Sequence, residues 1–213
     1  MTGSAPARNR VTPLGEIMAA PGRGTFMGNR GRLHDGAGSR DVHRHHVGRA
    51  WITCVLEFRG RRVRQWDPHR YTPLFVLDEA VALAAGHRPC AECRRADFTR
   101  YRDLVAADHG VEHLSAPVLD GLLHDERWDV AARTRRLHAY AWGELPHGAF
   151  VLLDTGPALV VGDRLRPWLP DNTYAVTSLP RPPTGTARVL TPPSSLAALR
   201  GGYASPSSSS ENA

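Results

Sequence analysis

Apolar and polar positions alternate in distinct ways along the chain, and the pattern divides it into segments. Residues 51–58, Trp-Ile-Thr-Cys-Val-Leu-Glu-Phe, are rich in β-branched and aromatic side chains and predict a strand. Arg59 and Gly60 supply a turn, and residues 61–65 alternate enough to return as a second strand. Asp67-Pro68 breaks that pattern, and residues 74–77, Leu-Phe-Val-Leu, predict a short third strand. Asp78 is a good helix N-cap with Glu79 in the first turn, where the helix dipole favours a negative charge. The helix it opens runs to Ala85, and Gly86 suits the left-handed position that ends a helix. A second helix over residues 96–107 places Phe98, Tyr101, Leu104 and Val105 on one face.

Residues 109–123 read as loop and short helix, and residues 126–142 as an arginine-rich helix. From residue 147 the pattern turns to short apolar runs. Residues 149–153 and 158–161 flank a Thr155-Gly156-Pro157 turn as a hairpin, and residues 165–169 and 187–190 predict further strands. Ser194 or Ser195 caps a last helix stopped by Gly201-Gly202. The fold class that follows is α+β: a small α/β module over residues 25–108, a connector over 109–146, and a β-rich unit over 147–203. Residues 1–24 read as a flexible leader and residues 204–213, with four consecutive serines, as a loose tail.

Composition adds two constraints. No run of about 20 apolar residues occurs, so no membrane-spanning helix is expected, and no signal-peptide core is present, so the cytoplasm is the expected location. The net charge is +6 and no lysine occurs; all 27 basic residues are arginine. Between Arg40 and Arg102 there are 13 arginines against 7 acidic residues, and this segment carries the whole excess. A concentrated basic surplus points to a polyanionic partner, of which nucleic acid is the commonest.

The same segment holds all three cysteines, Cys54, Cys90 and Cys93. Two cysteines separated by two residues, in His87-Arg-Pro-Cys90-Ala-Glu-Cys93-Arg-Arg95, can chelate one tetrahedral metal ion from a tight turn, and zinc suits two thiolates. A redox dithiol is the competing reading, but it needs a thioredoxin-like βαβ setting that the pattern lacks. A closed site requires four ligands. Cys54 is the expected third and a histidine the fourth, with His34 favoured and His43, in the His43-Arg-His45-His46 cluster, the alternative. Arg88, Arg94 and Arg95 flank the thiols and are expected to lower their pKa. With Arg61, Arg62 and Arg64 they form the expected nucleic-acid-binding set.

The run Leu74-Phe-Val-Leu-Asp-Glu-Ala-Val-Ala-Leu-Ala-Ala-Gly-His-Arg-Pro-Cys90-Ala-Glu-Cys93 resembles the metal-binding domain of the Ada family of DNA-alkylation-repair proteins. The resemblance covers about residues 50–96. It implies a zinc site, DNA as the partner, and a cysteine that takes a methyl group from a DNA phosphotriester, with Cys54 the matching acceptor. The family holds zinc with four cysteines; here Phe58 stands four residues after Cys54, where the family's second upstream cysteine would lie. Three functional readings follow: a zinc-dependent nucleic-acid-binding protein connected to repair or its regulation, a stoichiometric methyl acceptor, and a protein-interaction module with structural zinc. A hydrolytic metal site built from His43–His46 with Asp35 or Asp41 is a weaker fourth.

Overall fold

The structure is a computed structural model and describes residues 6–35 and 40–203. The fold is α+β, with two main sheets and four α-helices among the described residues. The first part contains β1 (Arg8–Val11), β2 (Ile17–Ala19), β3 (Phe26–Asn29), β4 (Ile52–Cys54), β5 (Glu57–Phe58), β6 (Arg61–Arg62), β7 (Leu74–Val76), helix α1 (Glu79–Ala84) and β8 (Arg88–Pro89). Helices α2 (Arg95–Asp108) and α3 (Ala116–Arg127) follow. Then come β9 (Trp128–Asp129), β10 (Thr134–Arg135), β11 (His138–Ala141), β12 (Phe150–Leu153), β13 (Gly156–Val161), β14 (Arg164–Leu169), β15 (Thr173–Tyr174), β16 (Leu179–Pro180), β17 (Thr186–Val189) and helix α4 (Pro193–Arg200).

The first sheet has the order β2-β1-β7-β3-β4-β8, in which β4 and β8 run parallel, with Ile52 opposite Arg88 and Thr53 opposite Pro89. The second has the order β11-β17-β12-β13-β14-β15, with β16 also paired to β14. The hairpin expected at Arg59-Gly60 forms as β5 and β6, and both turn residues adopt positive φ, 52° and 72°. Asp78 caps α1 as expected, its Oδ1 accepting the Val81 amide at 2.8 Å. Gly86 takes φ +87°, and a Cβ there would lie 2.4 Å from Cδ of Arg127, so both backbone conformation and packing require glycine.

The N-terminal segment departs from its reading as a leader. From residue 8 it is part of the first sheet, and Val11 is completely buried. Its small and polar residues concealed this, because its arginines act structurally. Arg8 Nε donates to the Ile17 carbonyl at 3.1 Å, Arg10 Nε donates to the Gly22 carbonyl at 2.8 Å, and Arg10 lies over the Phe75 ring. Residues 1–5 and the expected tail lie outside the described residues.

The expected helix over residues 126–142 is also corrected. Helix α3 ends at Arg127, and the chain returns as the β9–β10 hairpin and then β11. Asp129 Oδ1 accepts the Ala132 amide at 2.9 Å, a side-chain-closed turn that competes with helix. β11 is then held by four residue pairs against β17.

Two of the hydrophobic clusters place the site. Val11, Leu74, Val76 and Val81 from the first sheet and α1 pack with Phe150, Trp168 and Leu190 from the second half, so α1 is covered on the far side by β12 and its neighbours. Phe98, Tyr101 and Val105 of α2 pack with Leu119 and Leu123 of α3 and Ala198 of α4. At about 25 cal/mol per Å² of apolar surface removed from water, such contacts dominate the holding energy. They fix α2 directly behind the Cys90–Cys93 turn.

Candidate metal centre

Cys54 is the last residue of β4, and Cys90 follows β8 at once. The parallel pairing brings these positions together, with the Cys90 amide donating to the Thr53 carbonyl at 2.9 Å. The chain then turns tightly: the Arg94 amide donates to the Cys90 carbonyl at 3.1 Å, and the Glu92 amide points at Cys90 Sγ at 3.4 Å. This turn swings Cys93 back toward the strand, so that all three sulfurs lie within 4.8 Å of one another, and each side chain is half-buried. A tetrahedral zinc ion with Zn–S near 2.3 Å needs sulfurs about 3.8 Å apart, so a contraction of at most about 1 Å brings this donor set to coordination distance. The three cysteines therefore fit a thiophilic metal ion, and they form the one His, Cys, Asp and Glu group of that kind among the described residues.

The thiols share protons unequally. The Cys54 thiol, hydrogen-bonded to Cys90, holds the Cys90 sulfur as a thiolate with its pKa lowered to about 5, helped by the Cys93 and Glu92 amides. Cys54 is pushed far up for the same reason and by burial, and Cys93 is raised, first by burial. Tyr71, which the sequence pattern did not single out, is half-buried near the thiols. Its phenol is pushed up to about 12 by burial and then by the charge of the three cysteines. Its only signal in the sequence is an aromatic residue between Arg70 and Thr72, too common a feature to read.

The expected fourth ligand does not join this group. His34 is 3 % exposed and works as a latch. Its Nδ1 lies 2.6 Å from Thr72 Oγ1, its Nε2 lies 3.1 Å from the Asp67 carbonyl, and its ring meets Trp66 edge to face. With both ring nitrogens engaged, His34 has none left for a metal. His43 is exposed and pairs with Asp35 at 3.4 Å.

The arginines divide into two classes. Arg61, Arg62, Arg64 and Arg95 are exposed. Arg62 Nε donates to Glu57 across the hairpin at 2.7 Å. Arg88 and Arg94 are buried and structural, which corrects their assignment to a nucleic-acid surface. Arg88 makes a two-pronged pair with Asp120 at 2.7 and 2.9 Å. Arg94 is held by Glu79 at 2.5 Å and by Asp97 at 2.7 Å. Tyr203 donates to the same Glu79 oxygen at 2.7 Å, so the turn is tied to the end of the described chain. Neither guanidinium acts on the thiols; the hydrogen bonds from Cys54 and the turn amides do that instead. Of the five tryptophans, Trp51, Trp142 and Trp168 are buried in the interior, and Trp66 and Trp128 are half-buried.

Among the described residues no helix is long and apolar enough to cross a membrane. No protein-family model matches the chain, and no curated protein or solved structure does.

Proposed function

We propose that Cys54, Cys90 and Cys93 bind one zinc ion with its fourth position left to a solvent or substrate atom, in an Ada-like module that binds nucleic acid. The observation that carries this reading is the convergence of three sulfurs within 4.8 Å with no fourth histidine, cysteine or carboxylate in the group among the described residues. Three protein ligands and one open position are the arrangement of reactive zinc sites, whereas purely structural sites are closed by four. When bound, zinc keeps the sulfurs deprotonated and nucleophilic at neutral pH. Exposed arginines lie near the cysteines in the sequence: Arg61, Arg62 and Arg64 follow Cys54 on and after the hairpin, and Arg95 follows Cys93 by two residues. In this reading they hold a phosphate backbone beside the thiols.

Elemental analysis of the purified chain is expected to give one zinc per molecule, falling to near zero in Cys90→Ser and staying at one in His34→Ala. Zinc retained without Cys90 overturns the site. Titration of a labelled DNA duplex and single strand across salt tests the partner. Salt-sensitive binding that weakens when Arg61, Arg62, Arg64 and Arg95 are all changed to Gln is expected, and salt-independent or absent binding overturns it.

A second reading is favoured by the partial exposure of the thiols, which leaves them open to attack an external carbon. In it Cys54 Sγ, which would lose its proton to solvent on metal binding, attacks as a thiolate the methyl carbon of a phosphotriester. The new S–C bond forms as the C–O bond breaks, and the phosphodiester departs with the electron pair. Mass spectrometry after incubation with methylated DNA is expected to show one added methyl group on the Cys54 peptide; an unmodified peptide rules this out.

A further inference from the structure

The opposite end of the β4–β8 pair carries a second cluster, built from arginine and histidine. Trp51 precedes β4, His87 precedes β8, and both are buried. The guanidinium carbons of Arg30 and Arg127 lie 3.7 and 4.1 Å from the Trp51 ring centre. Arg30 and Arg127 are each only 1 % exposed. Arg30 donates to Gly15 O at 2.6 Å and to His87 Nε2 at 3.1 Å, yet its Nη2 is buried with no partner among the described residues. Arg127 donates to the Gly86 and Arg49 carbonyls at 2.9 and 2.5 Å. Half-buried Arg135 donates to the carbonyls of Ala84, Ala85 and Leu190.

Every partner of these three guanidiniums is neutral. No carboxylate forms an ion pair with any of them among the described residues. The nearest acids are engaged elsewhere, Asp120 with Arg88 and Glu126 with Ser194. Burial lowers all three guanidinium pKa values, aided at Arg30 by Arg127 and Arg135 and at Arg127 by Arg135; Arg127 and Arg135, lowered to about 9, remain cationic at neutral pH. Asp120 and Glu126 offset part of the charge on Arg127 from a distance, but buried cations without a directly paired carboxylate are costly, and their field extends to the adjoining surface.

That surface is a cleft of about 500 Å³ lined by Arg44, His45, His46, Trp128 and Arg133. His45 forms its floor against the cluster, with Nε2 2.9 Å from Gly15 O and 3.3 Å from Arg30 Nη1. The Gly15 carbonyl requires a proton on Nε2, so His45 Nδ1 accepts from His46 Nδ1 at 2.9 Å and both rings are neutral. His45 stacks on Trp128, and His46 meets His124 edge-on. Arg44 and Arg133 on the rim are exposed and form no ion pair among the described residues. A cation is the wrong guest in this field despite the histidines.

We infer that the cleft between Arg44, His46, Trp128 and Arg133, backed by Arg30, Arg127 and Arg135, is a binding site for a phosphate-class oxyanion. The two rim guanidiniums supply charge-assisted hydrogen bonds to it, and the buried arginines supply its electrostatic complement. The oxyanion comes from a free phosphate, a mononucleotide or the end of a nucleic-acid strand. The inference goes beyond the metal site and does not depend on it.

Calorimetric titration of the full chain with inorganic phosphate, a nucleoside 5′-monophosphate and a 5′-phosphorylated tetranucleotide tests it. Saturable binding of at least one probe is expected, weakened about tenfold or more in Arg44→Gln/Arg133→Gln. Both rim residues are exposed, and circular dichroism checks that the fold is kept. The probe that binds identifies the source of the oxyanion. Absence of binding by all three probes, or equal binding by the double variant, overturns the site. Repeating the titration with Cys90→Ser separates the two sites: undiminished binding is expected, and lost binding overturns their independence.

Discussion

The parallel pair β4–β8 carries opposite chemistry at its two ends, roughly 10 Å apart for three residues of strand. At the C-terminal end three thiols converge and offer negative charge to a cation. At the N-terminal end three guanidiniums converge around Trp51 and His87 with no carboxylate ion pair among the described residues. The thiol end is made by a four-residue turn and one neighbouring strand. The guanidinium end is assembled from residues 15, 30, 45, 51, 87, 127 and 135, drawn from most of the chain's length. A site of the first kind depends on its ligand for part of its stability, because without a metal ion the sulfurs themselves are joined to one another only by weak hydrogen bonds. A site of the second kind is woven into the backbone of several elements, so the fold depends on it.

This contrast can be broken most directly by Trp51→Ala. Urea unfolding is expected to show a loss of about 3–5 kcal/mol, the cost of truncating a buried tryptophan on which two guanidiniums rest. With chelator present, Cys90→Ser is expected to cost about 1 kcal/mol, in line with one modest hydrogen bond. Equal losses at the two ends abolish the contrast.

Gly86→Ala is expected to cost about 1–3 kcal/mol, since φ of +87° disfavours alanine and Arg127 must shift to make room. An unchanged melting curve shows that Arg127 is not tightly held.

The histidines give a pH signature to the guanidinium end. His45 is pushed down to about 3, by burial and then by Arg30, against the pull of the Gly15 carbonyl. His46 is pushed down to about 4, by burial and then by His124, Arg30 and Arg127. The unfolded chain therefore binds protons from about pH 6.5 downward while the fold excludes them. Stability is fully present above about pH 6.5 and falls as the pH drops toward 4. His87, His124 and His138, also lowered, act in the same direction. His46→Gln is expected to shrink the difference in urea midpoint between pH 7 and pH 5, and an undiminished difference contradicts the assignment.

The smallest effect is expected at the exposed arginines beside the thiols. Arg64→Gln should change stability by no more than about 0.5 kcal/mol. It should lower the salt slope of nucleic-acid binding by about one if that side chain meets a phosphate. A destabilisation comparable to that of Trp51→Ala would place Arg64 in the same structural class as Arg127.

Local chemistry made part of this legible in the sequence. The Asp78 cap, the Gly86 stop, the turn at Arg59-Gly60 and the packed face of α2 are short-range features, and each appears where its residues predicted. So does the Cys90–Cys93 turn, because two ligands two residues apart need nothing from the rest of the chain. Cys54 was within reach because a strand end is a good place for a third ligand. His34 is not distinguishable from a ligand by composition, which cannot show whether an imidazole's two nitrogens are already engaged, and here Thr72 and Asp67 hold both.

Arginine is where sequence reading fails in this protein. Its charge suggests solvent or a polyanion, yet its long apolar stem and five donors let it satisfy buried carbonyls. Arg8 and Arg10 hold an N-terminal strand that their polarity disguised, and Arg88 and Arg94 turn inward to carboxylates. The sequence by itself determined the element types near each capping and turn residue, and the presence of a thiol pair suited to a metal. Only the tertiary structure decided which of the basic side chains face water. That depends on which carbonyls and carboxylates the packed elements bring within hydrogen-bond reach, and those contacts span dozens of residues that no local pattern connects.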